Sequence, residues 1–297
     1  MLNYTICRDS NNELSLGKLP LDATSFEDLR ANDQIYVDKT SFIAKLARLK
    51  ATYFLARPRR FGKSLLIDTF DNLFRKGLRD FKGLDIEKIW EDTTYNVLRI
   101  NFSTYADMDA NQLTSNLVHD ISEKINFEGH ISRLDDRGEY FPPGTILKKI
   151  VEYVPNRSLV LLIDEYDAPL THHLNDQKEL KNITNVLNNF YYAVKECSSK
   201  FRFIFITGIA RIAHLSIFSA FNNLLEITID DDYANILGIT EKELKQYFYP
   251  YIERSATILN MSISDICAAL KYRYDGFKFS LSSEETLYNP WSIINFL

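Results

Sequence analysis

The segment Arg57-Pro-Arg-Arg-Phe-Gly-Lys-Ser64 gathers three arginines, a lysine and a hydroxyl into one short stretch. Groups of that kind bind polyphosphate. Backbone N–H groups of such a loop, and of a helix behind it, face the phosphates; Lys63 reaches the terminal ones, and the Ser64 hydroxyl can ligate magnesium. The motif G-x-x-x-x-G-K-[ST] would set its first glycine at position 57, where this chain has Arg57. Farther along, the apolar run Leu159-Val-Leu-Leu-Ile163 is closed by Asp164-Glu165-Tyr166-Asp167. A buried parallel strand of that make-up delivers Asp164 at its C-terminal end to hold magnesium, directly or through water, and Glu165 to polarise an attacking water.

A Gly-Lys-Ser triplet alone is a weak signal, because a lysine after a glycine is usually a solvated turn. The flanking elements strengthen it. Thr52 to Ala56 reads as a buried strand, and Ser64 to Phe74 carries Leu66, Phe70, Leu73 and Phe74 at helical spacing, so the order is strand, loop, helix. Further strands are expected at Val97 to Phe102, Phe201 to Thr207 and, short, Leu224 to Ile229. Helices are expected at Phe42 to Leu49, Asn111 to Ile125, Thr145 to Tyr153 and Lys178 to Val194. Alternation of this kind predicts an α/β fold with a parallel sheet covered on both faces. From Thr240 the pattern turns helical. Thr240-Glu-Lys-Glu243 is a capping box opening Leu244 to Ile252, Ser264 to Tyr272 follows, and together they predict a small C-terminal helical lid. Tyr274 to Phe279 and Leu287 to Pro290 read as short strands or turns. The expected division is a polar lead at 1–21, a core at 22–239, and the lid and tail at 240–297.

With 297 residues, 45% hydrophobic and 25% charged, the chain has material for one or two domains. The net charge of −5 restricts any nucleic-acid contact to a local basic patch. Arg57, Arg59 and Arg60 form one, and phosphate neutralisation is its plainer reading. Cys7, Cys197 and Cys267 lack C-x-x-C spacing, which argues for reduced thiols in a cytoplasmic protein. The polar start and the lack of a long apolar run predict a soluble chain without a signal peptide.

Tyr36-Val-Asp-Lys-Thr40, Arg57 to Leu65, Leu162-Ile-Asp-Glu-Tyr-Asp167, Thr207-Gly208, Ser216-Ile-Phe-Ser219 with Asn222-Asn-Leu224, Tyr274-Asp-Gly-Phe277 and Tyr288-Asn-Pro290 together resemble the prokaryotic AAA-ATPase-like family. The resemblance runs from about Asp22 to the last residue, and an arginine in place of the first Walker glycine is typical of it. It implies a P-loop ATPase with an extra strand between the Walker A and Walker B strands. It also implies, in many members, a following nuclease-like domain of the PD-(D/E)xK type, which this sequence lacks; the chain then reads as a fragment, a split gene or an ATPase-only member. Carried over by residue, the loop Arg57, Arg59, Arg60, Phe61, Gly62, Lys63, Ser64 and Leu65 binds nucleotide. Ser64 and Asp164 hold Mg2+, Lys63 and Glu165 serve hydrolysis, and Thr207 stands where a sensor would read the γ-phosphate. The resemblance also favours ATP over GTP and brings Asp38 and Lys39 toward the base.

Other residues have plainer readings beside functional ones. Arg211 is an arginine finger or a solvated loop arginine. His172-His173 are adjacent and point apart, which favours a surface pair over a metal site. Glu243-Leu-Lys245 matches a nuclease fragment but falls within a helix, where such positions do not share a face. Asp167 either joins the magnesium shell or caps the next segment. The expected activity is magnesium-dependent ATP hydrolysis in the regulatory or motor half of a nuclease-linked system. The rival is a nucleotide-gated module that binds nucleic acid or protein through aromatics such as Tyr247, Tyr249, Tyr251, Tyr272 and Tyr274. Partners left open are a nucleic acid, a nuclease-like domain or partner protein, and a second copy in a homo-oligomer; no membrane is expected.

Overall fold

Strands buried on both sides must offer apolar side chains in two directions, and the central strands of this chain do so residue by residue. Phe54 and Ala56 face one hydrophobic core, while Tyr53 and Leu55 face a second. Leu159, Leu161 and Ile163 likewise face the first, while Val160 and Leu162 face the second. The computed structural model describes residues 17–21, 25–91, 93–125, 131–212 and 224–297. Its strands β1 (Thr52–Ala56), β2 (Asn96–Asn101), β3 (Leu159–Asp164), β4 (Phe201–Gly208) and β5 (Leu224–Glu226) form one sheet in the order β2-β3-β4-β1-β5. Every pairing is parallel. β4 thus lies between β1 and β3, and the register sets Leu55 beside Thr207 and Ile163 beside Ile206.

Helices α4 (Ala110–Lys124), α5 (Pro143–Val151) and α7 (Gln177–Glu196) cover the first core with stripes such as Leu113, Leu117 and Ile121. α2 (Thr40–Ala47) and α3 (Lys63–Lys76) cover the second. The short α1 (Phe26–Ala31) packs on α3, and α6 (Ala168–His172) follows the acids of β3. α8 (Glu241–Leu259), α9 (Ile263–Tyr274) and α10 (Pro290–Phe296) build a third cluster around Leu244, Phe248, Ile252 and Leu270. Leu19, Ile35 and Val37 from the N-terminal lead pack against it, so the C-terminal helices rest on the start of the described chain.

The α/β sheet covered on both faces is the architecture that the strand and helix alternation predicts. Several boundaries differ for physical reasons. β5 ends at Glu226 instead of Ile229 because only Ile227 N–H still donates to β1, at Phe54 O, before the Thr228 hydroxyl takes over as acceptor for Ala56 N–H. α8 starts at its capping box, where Thr240 and Glu243 exchange side-chain and backbone hydrogen bonds, and continues through Pro250 to Leu259. The tail makes isolated bridges, Phe277 with Leu287 and Ile239 with Tyr288, and then forms α10, which the sequence reading passed over. Its start signal is Asn289-Pro290: the asparagine side chain accepts from Ser292 N–H, and proline needs no donor in the first turn. Cys7, the polar lead through residue 16, and the segments Ser216 to Ser219 and Asn222 to Asn223 lie outside the described residues. Among the described residues no helix is long and apolar enough to cross a membrane.

Candidate functional site

The phosphate-type loop leaves β1 at Ala56 and enters α3 at Lys63, with Gly62 left-handed at φ 92°. Arg60 is left-handed as well, at φ 67°, a region that non-glycine residues seldom occupy. Lys63 is only 4% exposed and its Nζ donates to the carbonyls of Arg57 and Pro58, both at 3.0 Å, so the lysine is folded across its own loop. Burial lowers its pKa, against the pull of Glu165, Asp164 and Asp167, and the charge of Arg59 adds to the lowering.

The three arginines point three ways. Arg57 is 1% exposed, and its Nη1 donates to Ala56 O at 2.9 Å and Thr228 O at 2.5 Å, with Nη2 at longer range from Tyr233 O and Ala234 O. Its guanidinium carbon sits 4.0 Å from the centre of the Phe279 ring. Burial pushes its pKa down to about 9, still charged at neutral pH. The expectation that the Arg57 side chain neutralises phosphate is therefore corrected: its Nη donors are spent on carbonyls of the core, and its Nε has no partner among the described residues. Arg60 likewise turns away, its guanidinium carbon 3.8 Å from the centre of the Trp291 ring. Arg59 is the loop arginine whose charge is felt at both Glu165 and Lys63. Phe61 is 1% exposed and contributes its backbone to the loop, while its ring packs edge-on to Phe277 and Phe279.

At the end of β3, Asp164 is 1% exposed; its Oδ1 accepts the Thr207 hydroxyl at 2.6 Å and its Oδ2 has no partner among the described residues. Thr207 is fully buried, and its proton goes to Asp164. That bond orients the acid. Glu165 is left-handed at φ 50°, and burial raises its pKa, with Asp164 reinforcing and Lys63 opposing the rise. Asp167 does not cap α6; its Oδ2 accepts Ile209 N–H at 3.0 Å, and its Oδ1 has no partner among the described residues. Gly208 has to be glycine here, because a Cβ would stand 2.5 Å from the Tyr166 ring and 2.9 Å from Asp167 Oδ1. Asp164 Oδ2 and Asp167 Oδ1, buried carboxylate oxygens without donors among the described residues, are hard ligands of the kind that suits magnesium, as is the hydroxyl of Ser64 in the first turn of α3. Ser64, Asp164 and Asp167 thus fit that ion by donor type.

Beside the loop opens a mainly apolar cleft of about 110 Å³, lined among others by Lys39, Gly62, Leu65, Leu237 and Phe248. Lys39, 7% exposed, pairs with Glu243 Oε1 at 2.5 Å, so Glu243 both caps α8 and ties it to the residue that precedes α2. Asp38 does not enter the cleft, since its oxygens accept from Thr40 and Asp85. Arg211 pairs with Glu226 at 2.9 Å. His173 Nδ1 lies 2.9 Å from Pro169 O, and no group of three metal-binding side chains surrounds the histidine pair among the described residues. The Lys39–Glu243 pair and Trp291 escape sequence reasoning because their roles depend on contacts between distant segments.

A family profile described as Predicted AAA-ATPase matches residues 20–218. A protein of Azotobacter chroococcum mcd 1, named "Uncharacterized protein in vnfD 5'region", is 29% identical over 284 residues, which is 95% of this chain and 52% of that protein. The chain therefore spans about half the length of this curated relative. The crystal structure of a DNA replication initiation factor aligns over 86% of this chain and 59% of its own, with 11% identity and a TM-score of 0.33, too slight a likeness to carry an argument. The profile spans most of the chain and encloses both the Gly62-Lys63-Ser64 turn and the Asp164-Glu165 pair; the chain belongs to the AAA-ATPase-like family of predicted AAA-ATPases.

Proposed function

We propose that this chain binds ATP with magnesium and hydrolyses it to ADP and phosphate. The observation that carries the reading is that β1, which leads into the loop of the buried Lys63, and β3, which ends in Asp164, both flank β4 and end at the same C-terminal edge of a parallel sheet, where open α/β sheets bind their ligands. The loop amides and Lys63 hold the β and γ phosphates, and Arg59 adds charge on the side of the acids. Lys63 exchanges its two carbonyl acceptors for phosphate oxygens, which are stronger partners for a cation. A magnesium ion held by Ser64 and Asp164 would neutralise charge on the β and γ oxygens. Thr207 fixes Asp164 so that Oδ2 points away from its own bond. Glu165 orients the water that attacks the γ-phosphorus as the bond to the bridging oxygen breaks. The apolar lining of the cleft beside Gly62 and Leu65 suits the nucleobase, with Lys39 as a polar group at its wall.

Linkage to a nuclease partner belongs to the same proposal. The rival binding-module reading loses most of its aromatic platform. The Tyr247 hydroxyl accepts Asp38 N–H at 3.3 Å, Tyr251 donates to Gly17 O, and Tyr274 packs on Phe296, which leaves Tyr249 and Tyr272 exposed. Phosphate release with MgATP separates the two readings. Glu165→Gln is expected to keep nucleotide affinity and lose hydrolysis about 100-fold or more. Equal release by parent and variant above background removes Glu165 from the role, and no release by the parent favours the binding module.

A further inference from the structure

The loop is gripped from behind by the C-terminal segment. Phe277 and Phe279 pack edge-on against Phe61, with ring centres 4.7 and 5.5 Å away, and Trp291 at the start of α10 stacks on Arg60. The grip falls where the backbone is least comfortable. Arg60 and Gly62 have positive φ and Phe61 between them does not, an alternation that turns successive N–H groups toward one point and creates an anion-binding concavity. Glycine adopts its half of that turn without cost, whereas arginine holds a left-handed conformation only when its surroundings fix it. The Arg60 guanidinium carbon lies 3.8 Å from the centre of the Trp291 ring, on a tryptophan that is itself 42% exposed.

We propose that Trp291 is a positioning residue for the phosphate loop: by stacking on Arg60 it holds the left-handed turn that aims the loop amides inward, and so couples the docking of α10 to nucleotide affinity. The inference rests on the reading of this loop as a nucleotide site. Coupling of this kind is reciprocal, so bound nucleotide also tightens α10 on the loop. Whatever pulls on the C-terminal segment then loosens the nucleotide.

The test uses the full chain and MgATP titration calorimetry. Trp291→Leu, which keeps apolar bulk without a ring face, is expected to weaken binding about fivefold, the scale of one cation–π contact at a partly exposed site, whereas Trp291→Phe stays near the parent. Turnover at saturating ATP is expected to stay unchanged while KM rises. Arg60→Gly removes the need for a clamp, so adding Trp291→Leu to it is expected to change nothing further. With Trp90→Phe leaving Trp291 as the sole tryptophan, its emission is expected to shift on adding MgATP. Equal affinities of the Phe and Leu variants overturn the proposal, as does a loss from Trp291→Leu that persists undiminished beside Arg60→Gly. If the parent binds no MgATP, the nucleotide reading itself has failed, and that outcome is distinct from binding that ignores Trp291.

Discussion

Arg57 shows how a phosphate-type loop is built when its first position is not glycine. The residue directs its side chain into the core, where carbonyls of Ala56 and Thr228 and the face of Phe279 receive it, and lends the loop only its own carbonyl, which accepts from Lys63. Two effects oppose each other on removing it. Relief from burying a charge favours the variant, and orphaned carbonyls at about 1–3 kcal/mol each disfavour it. With two short bonds lost, the carbonyls win: Arg57→Met is expected to cost about 2 kcal/mol in urea unfolding. Unchanged stability would show that water replaces the guanidinium. The sequence reading sends this side chain to phosphate because basic residues beside Gly-Lys-Ser are ordinarily read so. The partners that claim it, Thr228 and Phe279, lie far along the chain and are invisible without the fold.

At the scale of elements, the strand, loop and helix around Gly62 are legible because each is written locally, in the apolar run of β1 and the helical spacing of Leu66, Phe70 and Leu73. β3 and its acids are legible for the same reason. What stays hidden is the seam between segments: Lys39 from the lead reaching Glu243 on α8, and Asp231 holding the loop at Ser280 and Ser282. The Lys39–Glu243 pair is buried, yet Glu243 also caps Thr240 N–H, so its charge keeps a partner when the lysine goes. Lys39→Met is therefore expected to cost about 2 kcal/mol, less than the about 3–5 kcal/mol of an abandoned buried charge, and to lower hydrogen-exchange protection of the first turns of α8 before that of β3. Equal loss in both elements would mean the pair does not serve the seam. Hydrogen bonds from the Ser280 and Ser282 hydroxyls pull Asp231 down to about 2 from the ordinary 3.8. A depressed carboxyl contributes stability above its unfolded value that is lost as pH falls through its folded one. The 280–283 loop is expected to become protease-sensitive between about pH 4 and pH 2, and Asp231→Asn to be sensitive already at neutral pH.

For the whole molecule, two cores back one sheet and a third ties the two ends of the described chain together beside the cleft, whose lining it shares at Ile35, Ile239 and Phe248. The N-terminal lead, the phosphate loop and the C-terminal helices thus meet around one volume, which is the arrangement that lets nucleotide occupancy change how the ends pack. A chain spanning about half of its relative has further protein on which such a change can act in that relative. All of this depends on the loop binding nucleotide through Lys63, whose Nζ is held at 3.0 Å from two loop carbonyls. The most direct measurement is titration calorimetry of MgATP into the parent and into Lys63→Ala, with folding of both verified by circular dichroism. The account predicts binding by the parent and at least about a tenfold loss in the variant, as expected when a charge-assisted phosphate contact is removed. Equal affinity in a folded Lys63→Ala protein would contradict it.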